Sequence, residues 1–381
     1  MTVRGTPSRA PRGIALLGST GSIGVSTLKV LERHPDRFRL VALTGGKNRA
    51  LLEEQVARWK PKYAGLAQAD GKNGVLTGPA CLVEAATHPD VDVVVNAVVG
   101  SAGLDATLAA LRAGKRVALA NKETLVMAGE LVAEAARAGG GELIPVDSEH
   151  SAVLQCLDGK EAAPARLILT ASGGPFRTWD PARIATATRE DALKHPTWQM
   201  GAKITVDSAT LANKALEVIE AHFLFGLGYD AIEVVVHPQS VVHAFVEFVD
   251  GSVLAQLGFP TMELPILYAL THPDRVADAG VRRFDPVAAG DLTFEPVRPE
   301  VFRAYALGLS AARRGGTFPA AFNAANEVAV AAFLDGRIAF GRIAEVIERV
   351  LEGHPDEAAR DLDTVRAADS RARAAATLAF G

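Results

Sequence analysis

Asp147-Ser148-Glu149 and Glu217 are the residues of this chain whose types invite metal chemistry. Two carboxylates two residues apart in an extended segment point to the same side, and they repel unless a cation sits between them. A further acid lies on the helix-like stretch 207–225, where Asn213 and Glu217 are four apart and Lys214 and Glu217 three apart, so all three share a face. An oxygen-only set of Asp147, Glu149 and Glu217 suits a hard cation, Mg2+ or Mn2+, better than zinc. A solvated strand-end loop and an ordinary polar helix face would carry the same letters. Lys122, in Asn121-Lys122-Glu123, follows a predicted strand at the end where open parallel sheets bind ligands. It is equally placed to be a helix-start charge.

A second constellation is Gly18-Ser19-Thr20-Gly21-Ser22-Ile23-Gly24, spaced GxxGxxG between a predicted strand and a predicted helix. Glycines let a pyrophosphate approach the backbone, and exposed amides with the helix dipole favour the anion. Such turns also occur for packing alone. After the second predicted strand the chain reads Thr44-Gly45-Gly46-Lys47-Asn48-Arg49, with no acid to accept ribose hydroxyls. Lys47 and Arg49 are placed to meet a 2′-phosphate instead, which points to NADPH, against the plainer reading of a solvated basic loop. His195-Pro196-Thr197-Trp198-Gln199-Met200-Gly201 lacks helical periodicity and suits a loop that closes over a ligand, or a rigid one in which Trp198 packs. His237, before Pro238 at a strand end, is either a satisfied structural histidine or a catalytic one.

The elements that must position these groups begin with strict alternation. Strands are expected at 13–17, 38–43, 63–66, 91–97, 116–120 and 143–146, with helices at 27–34, 49–59, 103–113 and 123–138 between them. That pattern predicts an α/β Rossmann-type doubly wound parallel sheet in a nucleotide-binding domain over residues 1–150. Strand candidates at 167–170, 231–236, 241–249 and 252–257, the last two joined by the turn Asp250-Gly251, predict an α+β catalytic domain over 151–285 with a partly antiparallel sheet. A proline-spaced linker is expected at 286–300 and an alanine-rich C-terminal helical bundle at 301–381, with helices at 320–334, 343–351 and 362–378. A chain of 381 residues has ample core for about two or three domains.

Composition excludes several function classes. With 40 basic and 44 acidic side chains the net charge is −4, so no global positive field draws nucleic acid. No apolar run reaches the ~18 residues that span a bilayer, and the basic stretch 1–12 has no apolar segment behind it, so no membrane and no signal peptide are expected. The two cysteines, Cys81 and Cys156, are too few for a disulfide framework and fit a reducing, cytoplasmic compartment.

Taken in order, the glycine turn 18–24, Gly46-Lys47-Asn48, Asn121-Lys122-Glu123, Pro145-Val146-Asp147-Ser148-Glu149-His150, Ser172-Gly173-Gly174-Pro175-Phe176, His195-Pro196, Val206-Asp207-Ser208-Ala209-Thr210, Asn213-Lys214, Glu217, His237-Pro238-Gln239-Ser240 and Asn323-Ala324-Ala325-Asn326-Glu327 resemble the 1-deoxy-D-xylulose 5-phosphate reductoisomerase family over nearly the whole chain. The resemblance implies a homodimeric enzyme that rearranges 1-deoxy-D-xylulose 5-phosphate and reduces the product with NADPH to 2-C-methyl-D-erythritol 4-phosphate, for isoprenoid synthesis. It implies that Asp147, Glu149 and Glu217 bind Mg2+ or Mn2+, and that Lys122 and Ser148 touch substrate near the metal. It further implies that Ser172, Ser208, Asn213 and Lys214 grip the phosphate, with His195 and Trp198 on a lid. Thr20, Gly21, Ser22, Ile23, Gly46, Lys47, Asn48, Asn121, Glu123 and Gly201 would line NADPH. Thr124 stands where the family has serine, and Gly258-Phe259-Pro260-Thr261-Met262-Glu263 departs from the family's acidic-then-basic flanking of the methionine. Two rival readings remain: another two-domain NADPH-dependent oxidoreductase, such as a semialdehyde or homoserine dehydrogenase, which needs no metal triad, and a non-catalytic NADPH-binding sensor.

Overall fold

Runs such as Ile14-Ala15-Leu16-Leu17 and Val93-Val94-Val95, apolar without alternation, have no wet face, and each of these residues is at most 2% exposed. That is the signature of parallel strands covered on both sides. In the computed structural model, which describes residues 10–68, 76–159 and 164–380, they form the centre of a seven-stranded sheet. Its strands are β1 (Arg12–Leu17), β2 (Phe38–Gly45), β3 (Tyr63–Leu66), β4 (Leu76–Thr77), β5 (Val93–Asn96), β6 (Arg116–Leu119) and β7 (Glu142–Pro145), in the order β4-β3-β2-β1-β5-β6-β7. β1 pairs in parallel with both β2 and β5, so the chain winds outward in two directions from β1. Helices α1 (Ser22–Arg33), α2 (Arg49–Trp59), α3 (Ala80–Thr87), α4 (Leu104–Arg112) and α5 (Lys122–Gly139) separate the strands, with a non-helical residue at Ala128 inside α5. The expected Rossmann-type doubly wound α/β sheet is present.

The glycine turn needs its glycines. Gly18 has φ +83°, and a Cβ on Gly24 would lie 2.4 Å from the Gly18 carbonyl oxygen and 2.5 Å from Ser19 Cα. Both contacts are with backbone, so α1 enters this close to β1 only without a side chain there.

Contacts divide the chain into two units. The first holds the residues up to Ala120, with Ala135–Ile144 and Ile266–Gly280; the second holds Asn121–Glu134, Pro145–Pro265 and Val281–Gly381. The late segment of the first unit is tied in by polar contacts that carry no local sequence signal. Arg12 Nη1 donates to the Leu270 carbonyl at 3.0 Å, and Asp278, its side chain 1% exposed, is held by Arg33 at 2.7 Å and His34 at 3.1 Å.

The second unit contains α6 (Ser148–Leu157), β8 (Pro164–Ala171), α7 (Pro181–Ala185), α8 (Arg189–Ala192), α9 (Ala202–Ala209), α10 (Ala212–Phe225), β9 (Ile232–Val236), β10 (Val242–Phe248) and β11 (Val253–Leu257). After α11 (Glu263–Thr271), which runs into the first unit, come α12 (Pro286–Ala289), β12 (Glu295–Pro296), α13 (Arg303–Arg314), α14 (Phe318–Leu334), α15 (Arg342–Glu352) and α16 (Leu362–Leu378). The five strands lie in the order β11-β10-β8-β9-β12, with β8 and β9 parallel and the β10 pairings antiparallel. The proline-spaced stretch 286–299, aperiodic in sequence, supplies β12, which pairs with β9. The core gathers Phe176, Phe318, Phe322 and Phe340 among small residues. On α14 the alanines Ala321, Ala324, Ala325 and Ala329 are fully buried, which lets the neighbouring helices, including Ala372 and Ala376 of α16, approach closely.

Two local expectations differ from the structure. Asp147 and Glu149 are not on an extended strand end: Asp147 caps α6, its carboxylate accepting from the Ser148 amide at 3.1 Å, and Glu149 lies in the first turn. An acid at the cap and another in the first turn complement the helix dipole, which outweighs continuation of the strand. The stretch 207–225 is two helices, because Leu211 adopts φ +56° between α9 and α10. Among the described residues no helix is long and apolar enough to cross a membrane. Cys81 and Cys156 are both buried.

Candidate active site

Three segments of the second unit converge on one cluster: the start of α5, the start of α6 and the first two turns of α10. One oxygen each from Asp147, Glu149 and Glu217 lie within 4.8 Å of one another. Two lysines are threaded among them. Lys122 Nζ donates to Asp147 Oδ2 at 2.7 Å and Asn213 Oδ1 at 2.8 Å, and sits 3.4 Å from Glu217 Oε1. Lys214 Nζ donates to Glu149 Oε1 at 2.7 Å, to the Thr170 carbonyl at 2.6 Å and to Glu217 Oε2. Asn213 Nδ2 donates to Glu217, so the helical spacing that put Asn213, Lys214 and Glu217 on one face is realised. Ser148 Oγ donates to Glu149 Oε2 at 2.5 Å.

The electrostatics show what this cluster lacks. Burial alone would raise Asp147, but Lys122, with His150 and Lys214, outweighs it and holds the carboxyl down at about 2. Glu149 is lowered too, Lys214 outweighing burial. Glu217 goes the other way, pushed up to about 7 by burial and by Glu149, more than the two lysines can offset. Three carboxyls thus face two ammoniums, one positive charge short when all three are ionised. An oxygen-only donor set with excess negative charge, largely closed to solvent, fits a hard divalent ion.

Sequence reasoning missed Glu220, which lies one turn beyond Glu217. Glu220 Oε2 faces His150 Nδ1 at 3.4 Å, while His150 Nε2 pairs with the Glu217 carbonyl at 2.9 Å. Asp147, His150 and Glu220 form a second group with ligand atoms within 4.8 Å. Burial holds the Glu220 carboxyl well above the ordinary carboxylate range. Its i+3 spacing from Glu217 was visible, but an inward-facing acid looks like any other until the burial of its helix is known.

A second cluster in the same unit is neutral. Ser172 follows β8, and Gly173 and Gly174 both have positive φ, +83° and +66°. A Cβ on Gly174 would meet the Ser208 carbonyl oxygen at 2.5 Å, so this turn lies directly on the end of α9. His195 Nε2 is 3.0 Å from Ser172 Oγ and 3.1 Å from Ser208 Oγ. The amides of Thr197 and Trp198 donate to His195 Nδ1 at 3.1 and 2.9 Å, which leaves the ring proton on Nε2. Burial pushes His195 down to about 4. A neutral imidazole N–H and two hydroxyls therefore converge as donors, an arrangement suited to a phosphoryl group. Asn213 and Lys214 are not in this group; the structure places them with the acids. Trp198 is half-buried beside it.

His237 is fully spent on structure. Its Nδ1 pairs with the Thr293 carbonyl at 2.9 Å, its Nε2 accepts from the Val241 amide at 3.1 Å, and the ring stacks on Phe294 at 4.6 Å.

In the first unit, Gly21 caps α1 with no side-chain hydrogen bond, and no acid lies in the first turn, which leaves the Thr20–Ile23 region open to an anion. Lys47 is exposed after β2, Asn48 Oδ1 accepts from the Leu51 amide at the start of α2, and Arg49 pairs with Glu53 at 3.2 Å. Asn121, Glu123 and Gly201 belong to the second unit, where Asn121 Nδ2 donates to Glu123 Oε2 at 2.9 Å.

The 1-deoxy-D-xylulose 5-phosphate reductoisomerase family model matches residues 14–129, its C-terminal domain model residues 143–225, and a further DXP reductoisomerase C-terminal domain model residues 257–375. The chain is 50% identical over 381 residues to the 1-deoxy-D-xylulose 5-phosphate reductoisomerase of Heliobacterium modesticaldum, covering 97% of both chains. It belongs to this family. The enzyme of that name from Burkholderia multivorans is 51% identical, with 94% of each chain covered. A solved DOX-P reductoisomerase in complex with NADPH, fosmidomycin and magnesium superposes with a TM-score of 0.92 at 39% identity, covering 97% of this chain and 98% of that one. The Zymomonas mobilis reductoisomerase in complex with NADPH gives 0.88 at 44% identity, covering 97% and 99%. The family models reach into both units and span the carboxylate cluster, the His195 segment and the glycine turn.

Proposed function

We propose that this chain is a 1-deoxy-D-xylulose 5-phosphate reductoisomerase that converts its substrate to 2-C-methyl-D-erythritol 4-phosphate with NADPH and a divalent cation, Mg2+ or Mn2+. The observation that carries this is the convergence of Asp147, Glu149 and Glu217, from separate segments, on one largely buried cluster short of positive charge. The NADPH and magnesium named for its solved relative supply the two groups the reaction needs.

Asp147, Glu149 and Glu217 hold the cation. When bound, it polarises a carbonyl and stabilises negative charge developing on oxygen, while NADPH supplies hydride. Lys122 and Ser148, both buried at the edge of the acids, orient substrate oxygens. Ser172, Ser208 and the Nε2–H of His195 grip the phosphate, while Asn213 and Lys214, which lie with the acids, hold Glu149 and Glu217 in place. The 195–201 segment carries both His195 and Trp198, so closing it on the phosphate also brings an indole over the site and excludes water. The glycine turn with Thr20, Gly21, Ser22 and Ile23 holds the pyrophosphate, and Gly46, Lys47 and Asn48 the adenosine end, with Lys47 on the 2′-phosphate. The enzyme works in the cytoplasm, which the small number of cysteines, both buried, supports, and as a homodimer, which the exposed Val253 (48%) and Leu254 (39%) on the edge strand β11 support.

The test follows NADPH absorbance with 1-deoxy-D-xylulose 5-phosphate, with and without EDTA. Oxidation that stops in EDTA and returns with Mg2+ is expected. Metal-independent oxidation, or NADPH binding with no turnover, would overturn the reading.

A further inference from the structure

Asn323-Ala324-Ala325-Asn326-Glu327 in α14 touches neither cluster described above, yet it buries two amides completely. Asn326 Nδ2 donates to Asp207 Oδ1 at 2.8 Å. The other oxygen of Asp207 pairs with Lys203 Nζ at 2.9 Å, and the same ammonium holds Glu123 Oε1 at 2.9 Å. Asp207 is 1% exposed and Glu123 5%. Lys203 is held above its ordinary range because Asp207, Glu123 and Glu327 together outweigh its burial.

The positions of these partners give the chain its meaning. Glu123 follows Lys122, the ammonium on the acids, and Asp207 precedes Ser208, the hydroxyl facing His195. Both oxygens of Asp207 are taken, one from α14 and one through Lys203 from the start of α5. α9 is thus tied to α14 at Asp207, next to Ser208, and to the start of α5 at Lys203, one turn earlier on the same helix. Gly174 lies against the Ser208 carbonyl, so the turn carrying Ser172 rests on that same end of the helix.

We propose that Asn326 is a positioning residue for the phosphate grip: through Asp207 it sets where Ser208, and with it the Ser172 turn, stands. The C-terminal bundle acts on substrate affinity without touching substrate. This rests on the reading that Ser172, His195 and Ser208 hold the phosphate. Neutral hydroxyl and imidazole donors have no charge to pull an ill-placed phosphate back, so their alignment decides affinity.

Asn326→Leu keeps the side-chain volume and removes the donor, leaving Lys203 on Asp207. KM for 1-deoxy-D-xylulose 5-phosphate should rise about tenfold, the scale of one hydrogen bond to a buried charge, with kcat and the Mg2+ concentration for half-activation within about twofold of the parent. The exchange pair Asp207→Asn with Asn326→Asp restores the hydrogen bond with donor and acceptor reversed, keeps an acceptor for Lys203, and should bring KM back. Ser208→Ala, measured alongside, should raise KM as well. A lowered Tm with unchanged KM in Asn326→Leu, while Ser208→Ala is impaired, overturns the inference and leaves the phosphate reading standing. So does a KM that stays high in the exchange pair. Unchanged KM in Ser208→Ala overturns the phosphate reading and the inference with it. Should Asn326→Leu fail to fold, Asn326→Ser, a shorter donor, is read by the same criteria.

Discussion

Lys122→Met tests the charge balance of the carboxylate cluster. Methionine matches the length and flexibility of the lysine stem, so the change removes the ammonium with little change in packing. Lys122 is 7% exposed at its side chain, Glu217 2% and Asp147 18%, and Lys122 is the ammonium between the last two. Taking one partner from a buried pair costs roughly 3–5 kcal/mol; with Asp147 partly open to water and Glu217 still held by Lys214, a loss of about 3 kcal/mol is expected in EDTA at about pH 8. The pH dependence follows from the signs. In the parent, Asp147 is depressed to about 2, so it stabilises the fold above the ordinary carboxylate value and that contribution fades as pH falls through about 2. Without Lys122, the burial that raises Asp147 is opposed by His150 and Lys214 alone and is expected to lift the carboxyl above its ordinary 3.8, so that the ionised group becomes a liability that protonation relieves. The deficit of the variant should therefore shrink between about pH 8 and pH 4. Mg2+ should also stabilise the variant more than the parent, because the cation meets the acids with one competing ammonium fewer, Lys214 alone remaining; binding at about 100 times Kd contributes about 2.7 kcal/mol. Urea midpoints at the two pH values, with EDTA or Mg2+, measure both effects. An equal deficit at both pH values, together with an equal gain from Mg2+, would refute this account of the cluster.

Three further outcomes are expected. Lys47→Glu should weaken NADPH by roughly five- to tenfold, the scale of a partly exposed ion pair, and leave NADH nearly unchanged, as titration of cofactor fluorescence would show; equal weakening of both cofactors would remove Lys47 from the 2′-phosphate. Trp198→Ala should keep NADPH binding and lose most turnover, and unchanged steady-state kinetics would contradict a closing role for the 195–201 segment. His195 is lowered from 6.5 to about 4 by burial, so the unfolded chain takes up its proton first and stability falls as pH drops from about 6.5 to about 4. His195→Asn should flatten that part of the stability profile, and an unaltered slope would show that the ring is not buried as described.

What the residues alone determined is local. A glycine turn between an apolar run and an amphipathic run can only be a strand-to-helix entry, and Gly24 had to be glycine because α1 passes against the Gly18 carbonyl. Asn213, Lys214 and Glu217 had to share a face because a helix repeats every 3.6 residues. Periodicities of this kind are written in neighbouring letters, so six of the seven strands of the parallel sheet were legible nearly to their ends, while the two-residue β4 and the helix α3 that follows it were not. Tertiary structure decided the rest. Lys122 joins Asp147 across 25 positions and Glu217 across 95, Asp278 reaches back 245 to Arg33, and β12 emerges from a stretch with no strand pattern because β9 offers it an edge. Glu220 and Glu217 are the same letter one turn apart, and only the packing of α10 distinguishes the acid facing the lysines from the one against His150. A charge or an amide takes its role from what is buried opposite it, and the chain brings that partner from a distance over which sequence carries no repeat.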